Sequence, residues 1–219
     1  MSQYCCVILN DLQRFTFLIF LCFPFIFLDY GFFVSKYNLF NYPEFINFFR
    51  LITNIGDGIL LLPFLALFFI LSKFGVIKRK VFVEYFCGSL ITIFLVLVIK
   101  NLIFDGLPRP FLYFQNSGII PSNYDSYGIT FYKLNSFPSG HTSTATFLLL
   151  FLLRFVRKRF YKNIIFLLLV LVGFSRIFLF QHFFVDVVTG FCIGILSISL
   201  SNLILINSYK IKNKLKVTW

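Results

Sequence analysis

Two histidines are all that this 219-residue chain contains, and each sits beside groups suited to handling phosphate. His182 lies in Ser175-Arg176-x5-His182-x3-Asp186, and a spacing of four predicts that it shares one helix face with Asp186. A hydrogen bond from one imidazole nitrogen to the carboxylate would fix the tautomer and leave the other nitrogen as a nucleophile. An aspartate inside an apolar stretch is expensive unless partnered, so it needs such a reason. The plainer alternative is a His–Asp pair that only joins two helices. His141 lies in Pro138-Ser139-Gly140-His141, where a polar loop enters an apolar run. A helix starting there points free N–H groups and its positive dipole end at whatever fills the mouth, which makes an anion site. Gly140 lets the backbone approach phosphate oxygens, Ser139 offers a donor, and His141 is placed to move a proton. Here the plainer alternative is a Pro-Ser helix start with an incidental histidine. Lys100, Arg109 and Arg176 are cations expected near the membrane–water boundary, and each taken singly reads as a snorkelling or interfacial side chain. Around two histidines and a helix N-terminus, three such cations would stabilise the charge on the equatorial oxygens of a phosphoryl-transfer transition state.

The elements that must position these groups are set by hydropathy. With 59% hydrophobic residues and a mean hydropathy of +0.89, the chain exceeds what a globular core needs and reads as an all-α, polytopic membrane protein. Apolar runs at Phe15–Val34, Ile59–Ser72, Phe82–Phe104, Gly140–Phe155, Asn163–Phe180 and Phe183–Ile206 predict six transmembrane helices in a single domain covering residues 1–219. The net charge of +12 raises the question of nucleic acid, which the placement of the charges answers. Fourteen of the 20 basic residues, Arg14 and those in Lys73–Lys80, Arg154–Lys162 and Lys210–Lys216, fall on one side of the six-span layout. The positive-inside rule makes that side cytoplasmic, puts both termini there, and removes the need for a nucleic-acid partner.

Of the five cysteines, Cys22, Cys87 and Cys192 fall in apolar runs, and Cys5 and Cys6 lie near the N-terminus. No paired spacing points to a disulfide framework or a zinc motif. The first apolar run contains Asp29 and lacks a small-residue cleavage site, so it reads as a retained span. Phe45–Ile55 has amphipathic character and is expected along the membrane surface, with Asn54–Gly58 as a turn before the second span. The longest connection, residues 105–137, starts from Leu107-Pro108-Arg109-Pro110 and is the expected place for substrate selection. The fourth run, about 16 residues or 24 Å of helix against a hydrocarbon core of about 30 Å, predicts that His141 lies slightly below the outer interface. The 35 phenylalanines read as a bias of lipid-facing helices.

Taken in order, Lys100…Arg109-Pro110, Pro138-Ser139-Gly140-His141 and Ser175-Arg176-x5-His182-x3-Asp186 resemble the three signature motifs of the type 2 phosphatidic acid phosphatase superfamily, whose active site is similar to that of vanadium haloperoxidases. The second and third motifs match without departure. In the first, eight residues separate Lys100 from Arg109 where the family pattern has six, so either the Asp105–Pro108 turn takes up two extra residues or Lys100 is not the equivalent lysine.

The resemblance implies that His182 attacks phosphorus to give a phosphohistidine, with Asp186 orienting it. His141 would protonate the leaving oxygen and then activate water. Lys100, Arg109, Ser139, Gly140 and Arg176 would bind phosphoryl oxygens. Neither a metal nor another cofactor is expected, and the outer segments carry no Asp/Glu cluster to hold one. The function expected is an integral-membrane lipid phosphatase, metal-independent, with membrane lipids as its surroundings and its site on the outer, periplasmic face of a bacterial inner (plasma) membrane. An isoprenyl diphosphate, phosphatidylglycerol phosphate, phosphatidic acid and a lipid A phosphate are all open as substrate. A lipid phosphotransferase using the same intermediate is the near alternative. A transporter is the alternative from another class, but it would place ionisable residues near the bilayer midplane and show inverted repeats, and neither is seen. Oligomeric state is not readable.

Overall fold

The computed structural model describes residues 42–114, 128 and 132–217, with side chains described as far as residue 207. Every regular element among these is helical, as the composition predicts. The expected first span, with Arg14, Cys5, Cys6, Cys22, Asp29 and Lys36 around it, lies outside the described residues, as does most of 115–131.

Helix α1, Pro43–Thr53, opens with proline in its first turn and carries Glu44 at its start and Arg50 at its end, each complementing the helix dipole. Ile46, Phe49 and Thr53 are its buried face. The Phe49 ring packs 5.3 Å from Phe174 and 4.6 Å from Phe178. Two 3₁₀ turns follow, Asn54–Gly56 and Gly58–Leu60, the second started by Asp57 Oδ1 accepting from the N–H of Ile59 at 2.9 Å. Helix α2 is Leu61–Lys73. The break at 57 bends the two halves by 45°, and together they are apolar enough for one broken span. The segment expected along the membrane surface, Phe45–Ile55, packs one side on a later helix, while the side away from it exposes Phe45, Phe48 and Leu51.

Among the described residues, three further helices are long and apolar enough to cross a membrane: Arg79–Ile103, Arg159–Phe178 and Phe184–Asn207. The first comprises α3, Arg79–Val98, and a π turn over Ile99–Ile103; a five-residue helix, α4, spans Pro110–Phe114. The helices α6, Arg159–Phe178, and α7, Phe184–Val217, complete the long elements among the described residues.

Between them runs α5, Gly140–Leu153, only 14 residues long and buried along almost its whole length. It touches α3, α6 and α7 and lies between two apolar clusters. One joins Ala145, Leu149 and Leu153 to Phe166, Leu169, Val172, Val187 and Phe191. The other joins Phe147, Leu148 and Phe151 to Leu61, Phe68, Tyr85 and Ile198. A helix apolar on every side belongs inside a bundle, so neighbouring helices rather than lipid set the length of α5. The same clusters correct the reading of the phenylalanines as lipid-facing, because Phe147 and Phe151 are wholly enclosed.

Close approach of α5 and α7 depends on two glycines one turn apart. A Cβ on Gly190 would come 2.7 Å from the Ser139 carbonyl oxygen, and one on Gly194 would come 2.5 Å from the Thr146 Cβ. Small residues at that spacing let helix backbones meet without intervening side chains. The buried hydroxyls of Ser143, Thr146 and Ser197 bond to carbonyls four residues back on their own helices, so close packing leaves them satisfied.

Candidate active site

The end of α3, the start of α5, the end of α6 and the start of α7 meet at one end of the bundle. They bring together all eight residues singled out from the sequence. Helix α6 ends at Phe178, and the N–H groups of Gln181 and His182 both bond to the Arg176 carbonyl, at 3.0 and 3.1 Å. His182 therefore sits in the α6–α7 loop, two residues ahead of α7, and not on a helix face with Asp186 as the spacing predicts. The pair still meets: His182 Nδ1 lies 3.3 Å from Asp186 Oδ2. The reason is local. Asp186 is the third residue of α7, and its carboxylate reaches back to accept from the N–H of Phe183 at 2.9 Å, the acid half of a capping box. Capping ties the carboxylate to the helix start and draws the loop histidine against it.

A third donor to the same carboxylate oxygen is the Ser136 hydroxyl. Ser136, His182 and Asp186 are all buried, to 2%, 1% and 2% exposure, so their bonds are made away from water. Burial, then the charges of Arg176, Arg109 and Lys100 and the neighbouring His141, push the His182 imidazole well below the usual histidine range. A neutral ring with its proton on Nδ1 toward Asp186 carries its lone pair on Nε2.

Ser139 is the N-cap of α5; its Oγ accepts from the N–H of Thr142 at 3.4 Å and pairs with the Thr142 hydroxyl at 2.8 Å. Its own N–H donates to the Asp186 carbonyl at 3.0 Å, which locks the starts of α5 and α7 together. Among the described residues, the N–H groups of Gly140 and His141 are then the open donors at the mouth of α5. A Cβ on Gly140 would meet only Val96 Cγ1, at the ordinary distance of 3.6 Å. Packing therefore does not demand glycine there. His141 is partly buried at that mouth, and its main chain rests on Gly56: a Cβ at residue 56 would come 2.5 Å from the His141 carbonyl oxygen.

Arg109 is a clamp as well as a cation. Its Nε donates to the Leu134 carbonyl at 2.9 Å, Nη1 to the Gln181 carbonyl and side-chain oxygens at 3.2 and 3.3 Å, and Nη2 to the Asn135 carbonyl at 3.3 Å. Lys100 Nζ donates to the same Asn135 oxygen at 3.2 Å, so the longer spacing does not separate the two cations. The π turn after Val98 and the bend at Gly106, with φ of +78°, shape that longer connection. Asn135 and Phe180, whose carbonyls serve Lys100, Arg109 and the N–H of Phe111, both hold left-handed backbone at φ of 58° and 52°. For phenylalanine that is an uncommon conformation, of the kind found where a site dictates the backbone. Arg176 Nη1 reaches across to α1 and donates to Thr53 Oγ1 at 2.9 Å.

Sequence reasoning missed Ser136, Gln181, Thr53 and Gly56. Ser136 had a signal, because a buried carboxylate needs more donors than one imidazole. Thr53 had none, since it meets a partner 123 residues away. Among the described residues, no group of three or more His, Cys, Asp or Glu side chains is arranged to hold a metal ion.

Residues 82–210 match the PAP2 superfamily. The chain belongs to that superfamily. The motif resemblance read from the sequence is thereby borne out, and the matched region takes in all three motifs of this PAP2 chain. Among solved structures it is similar to the crystal structure of Aquifex aeolicus LpxE, at 25% identity and a TM-score of 0.59, with 78% of this chain and 91% of that chain covered. No curated protein matches it. Membership and likeness together support a phosphatase acting on a lipid phosphate, and the apolar helices support an integral membrane protein.

Proposed function

We propose that the protein hydrolyses a phosphomonoester or diphosphate of a membrane lipid through a phosphohistidine on His182. The observation that carries this reading is the buried His182–Asp186 pair at 3.3 Å with Lys100, Arg109 and Arg176 around it. The Nε2 lone pair attacks the terminal phosphorus as its bond to the leaving oxygen breaks, the lipid's own oxygen in a monoester or the bridging oxygen in a diphosphate, and protonated His141 gives its proton to that oxygen. Neutral His141 then takes a proton from water, whose oxygen displaces Nε2 and releases inorganic phosphate. Negative charge on the transferring oxygens is met by Lys100, Arg109 and Arg176, by the N–H groups of Gly140 and His141, and by Ser139 once its hydroxyl turns from Thr142.

In this proposal residues 1–219 form one six-span domain with both termini in the cytoplasm. The site faces outward, from a bacterial inner membrane, and residues 105–137 select the lipid. Head groups reach the site at the end of the bundle while acyl or prenyl tails stay among the exposed apolar helices. The reaction uses no metal or cofactor, because protein cations and helix N–H groups supply the charge.

Phosphate release by detergent-purified protein, measured over a panel of lipid mono- and diphosphates with excess chelator, tests the reading. Release is expected to persist in chelator and to vanish in His182→Ala. Acid-labile label from a phosphate-labelled substrate should be trapped on the protein and be lost in the same variant. Full turnover by His182→Ala would remove the nucleophile assignment.

A further inference from the structure

The motif arginine of α6 is held from outside the region that matches the family. Thr53 ends α1, 29 residues ahead of the match at 82–210, and its Oγ1 accepts from Arg176 Nη1 at 2.9 Å. Both residues are buried, Thr53 to 7% exposure and Arg176 to 6%. The contact is backed by packing, since Phe49, one turn earlier on α1, lies against Phe174 and Phe178 on either side of Arg176. A guanidinium on a long stem has much rotamer freedom to lose, whereas a β-branched threonine is stiff at χ1. A stiff acceptor on a docked helix therefore fixes the direction of the fork, and the Arg176 backbone already carries the loop that presents His182.

We propose that Thr53 is a positioning residue for the reaction, holding the Arg176 guanidinium in the orientation in which it faces the phosphoryl group. The proposal rests on the reading of Arg176 as a phosphoryl-binding cation. It assigns a role in turnover to α1, a segment with no signature motif. A bond that served only to join α1 to α6 would affect stability and leave the balance between substrate binding and turnover alone.

The test is steady-state kinetics of Thr53→Val, Thr53→Ser, Arg176→Lys and the Thr53→Val/Arg176→Lys double variant, with vanadate as a five-coordinate oxyanion inhibitor. Removing a hydrogen bond that a charged group uses mainly in the transition state is expected to lower kcat about tenfold in Thr53→Val with KM within about twofold. Vanadate inhibition should weaken by about the same factor, and Thr53→Ser, which keeps the acceptor but not the β-branch, should restore most of both. In the Arg176→Lys background the valine change should have no further effect, because the two residues act as one unit. Wild-type kcat and vanadate inhibition in Thr53→Val, beside a strong loss in Arg176→Lys, would overturn the proposal and leave the reading of Arg176 intact. Independent, multiplying losses in the double variant would also overturn it. Wild-type turnover by Arg176→Lys would instead remove the reading on which it stands. Thr53→Cys, with a poor acceptor of similar size, gives the same readout if the valine variant does not fold.

Discussion

Ser136 is the residue whose loss most directly tests how His182 is held. Its hydroxyl, the N–H of Phe183 and the His182 ring share one carboxylate oxygen of Asp186, so the serine restrains the carboxylate without touching a phosphate. A hydrogen bond to a charged group is worth about 1.5–3 kcal/mol, so Ser136→Ala should lower kcat roughly ten- to a hundredfold and leave vanadate binding nearly unchanged. In the proposed mechanism His141→Ala removes a proton-transfer group and not the nucleophile, so a loss of about 10²–10⁴-fold in kcat is expected, with residual release above the His182→Ala background. The pH profile follows from the sign of the His182 shift. In the proposed mechanism the attacking form is neutral, and its pKa is held below the ordinary 6.5, so that form survives as pH falls through 6.5 and His182 contributes no loss of kcat/KM there. The unfolded chain takes up that proton first, so the linked contribution to stability is present above 6.5 and is lost as pH falls from there toward the folded pKa. At this scale the sequence was most legible: types and spacing named the eight residues that the fold brings together. What they could not convey was that Arg109 also staples two loops, because its acceptors are backbone carbonyls that no residue type encodes.

Helix α5 presents the mouth of the site, and what presses on its first turn should matter as much as its own residues. Gly56→Ala would drive a Cβ to 2.5 Å from the His141 carbonyl oxygen, against backbone that cannot swing aside. The expected outcome is a folded protein with kcat lowered at least tenfold, whereas Gly58→Ala, where an added Cβ meets nothing within 4 Å, should behave as wild type. Steady-state kinetics on the two alanine variants side by side is the check. The turn containing these glycines was readable from Asn54–Gly58, but its partner was not, since the contact spans a sequence distance that no local pattern records. The π turn at Ile99–Ile103 was hidden for a related reason. An apolar run looks the same to hydropathy whether its last turn closes on the fourth or the fifth residue, and only the departure from the family spacing marked the place.

For the whole bundle, the instructive contact lies at the end away from the site. Arg154 at the close of α5 donates to Glu84 on α3 at 2.8 Å, with its guanidinium 4.0 Å over the Phe151 ring. The two side chains are only 16% and 5% exposed, so removing one strands the other. Glu84→Leu should lower the thermal midpoint in detergent by more than the double change Glu84→Leu/Arg154→Met does, since breaking one half of a buried pair costs more than replacing both. From sequence, Arg154 belonged to the basic cluster assigned to the inner side, and Glu84 passed unremarked within an apolar run.

The same geometry carries a kinetic consequence. Helix α5 starts at the candidate site and ends at this ion pair, about 21 Å away, so the reactive end and the anchored end belong to opposite faces of the bundle. A catalyst built with chemistry at one end only draws on one of the two lipid pools that a bilayer keeps apart. In sealed vesicles holding the protein in a single orientation, phosphate release should therefore come as a burst that exhausts the accessible leaflet. A slow phase should follow, set by how fast the substrate lipid crosses the membrane. A scramblase added at the plateau should merge the two phases into one.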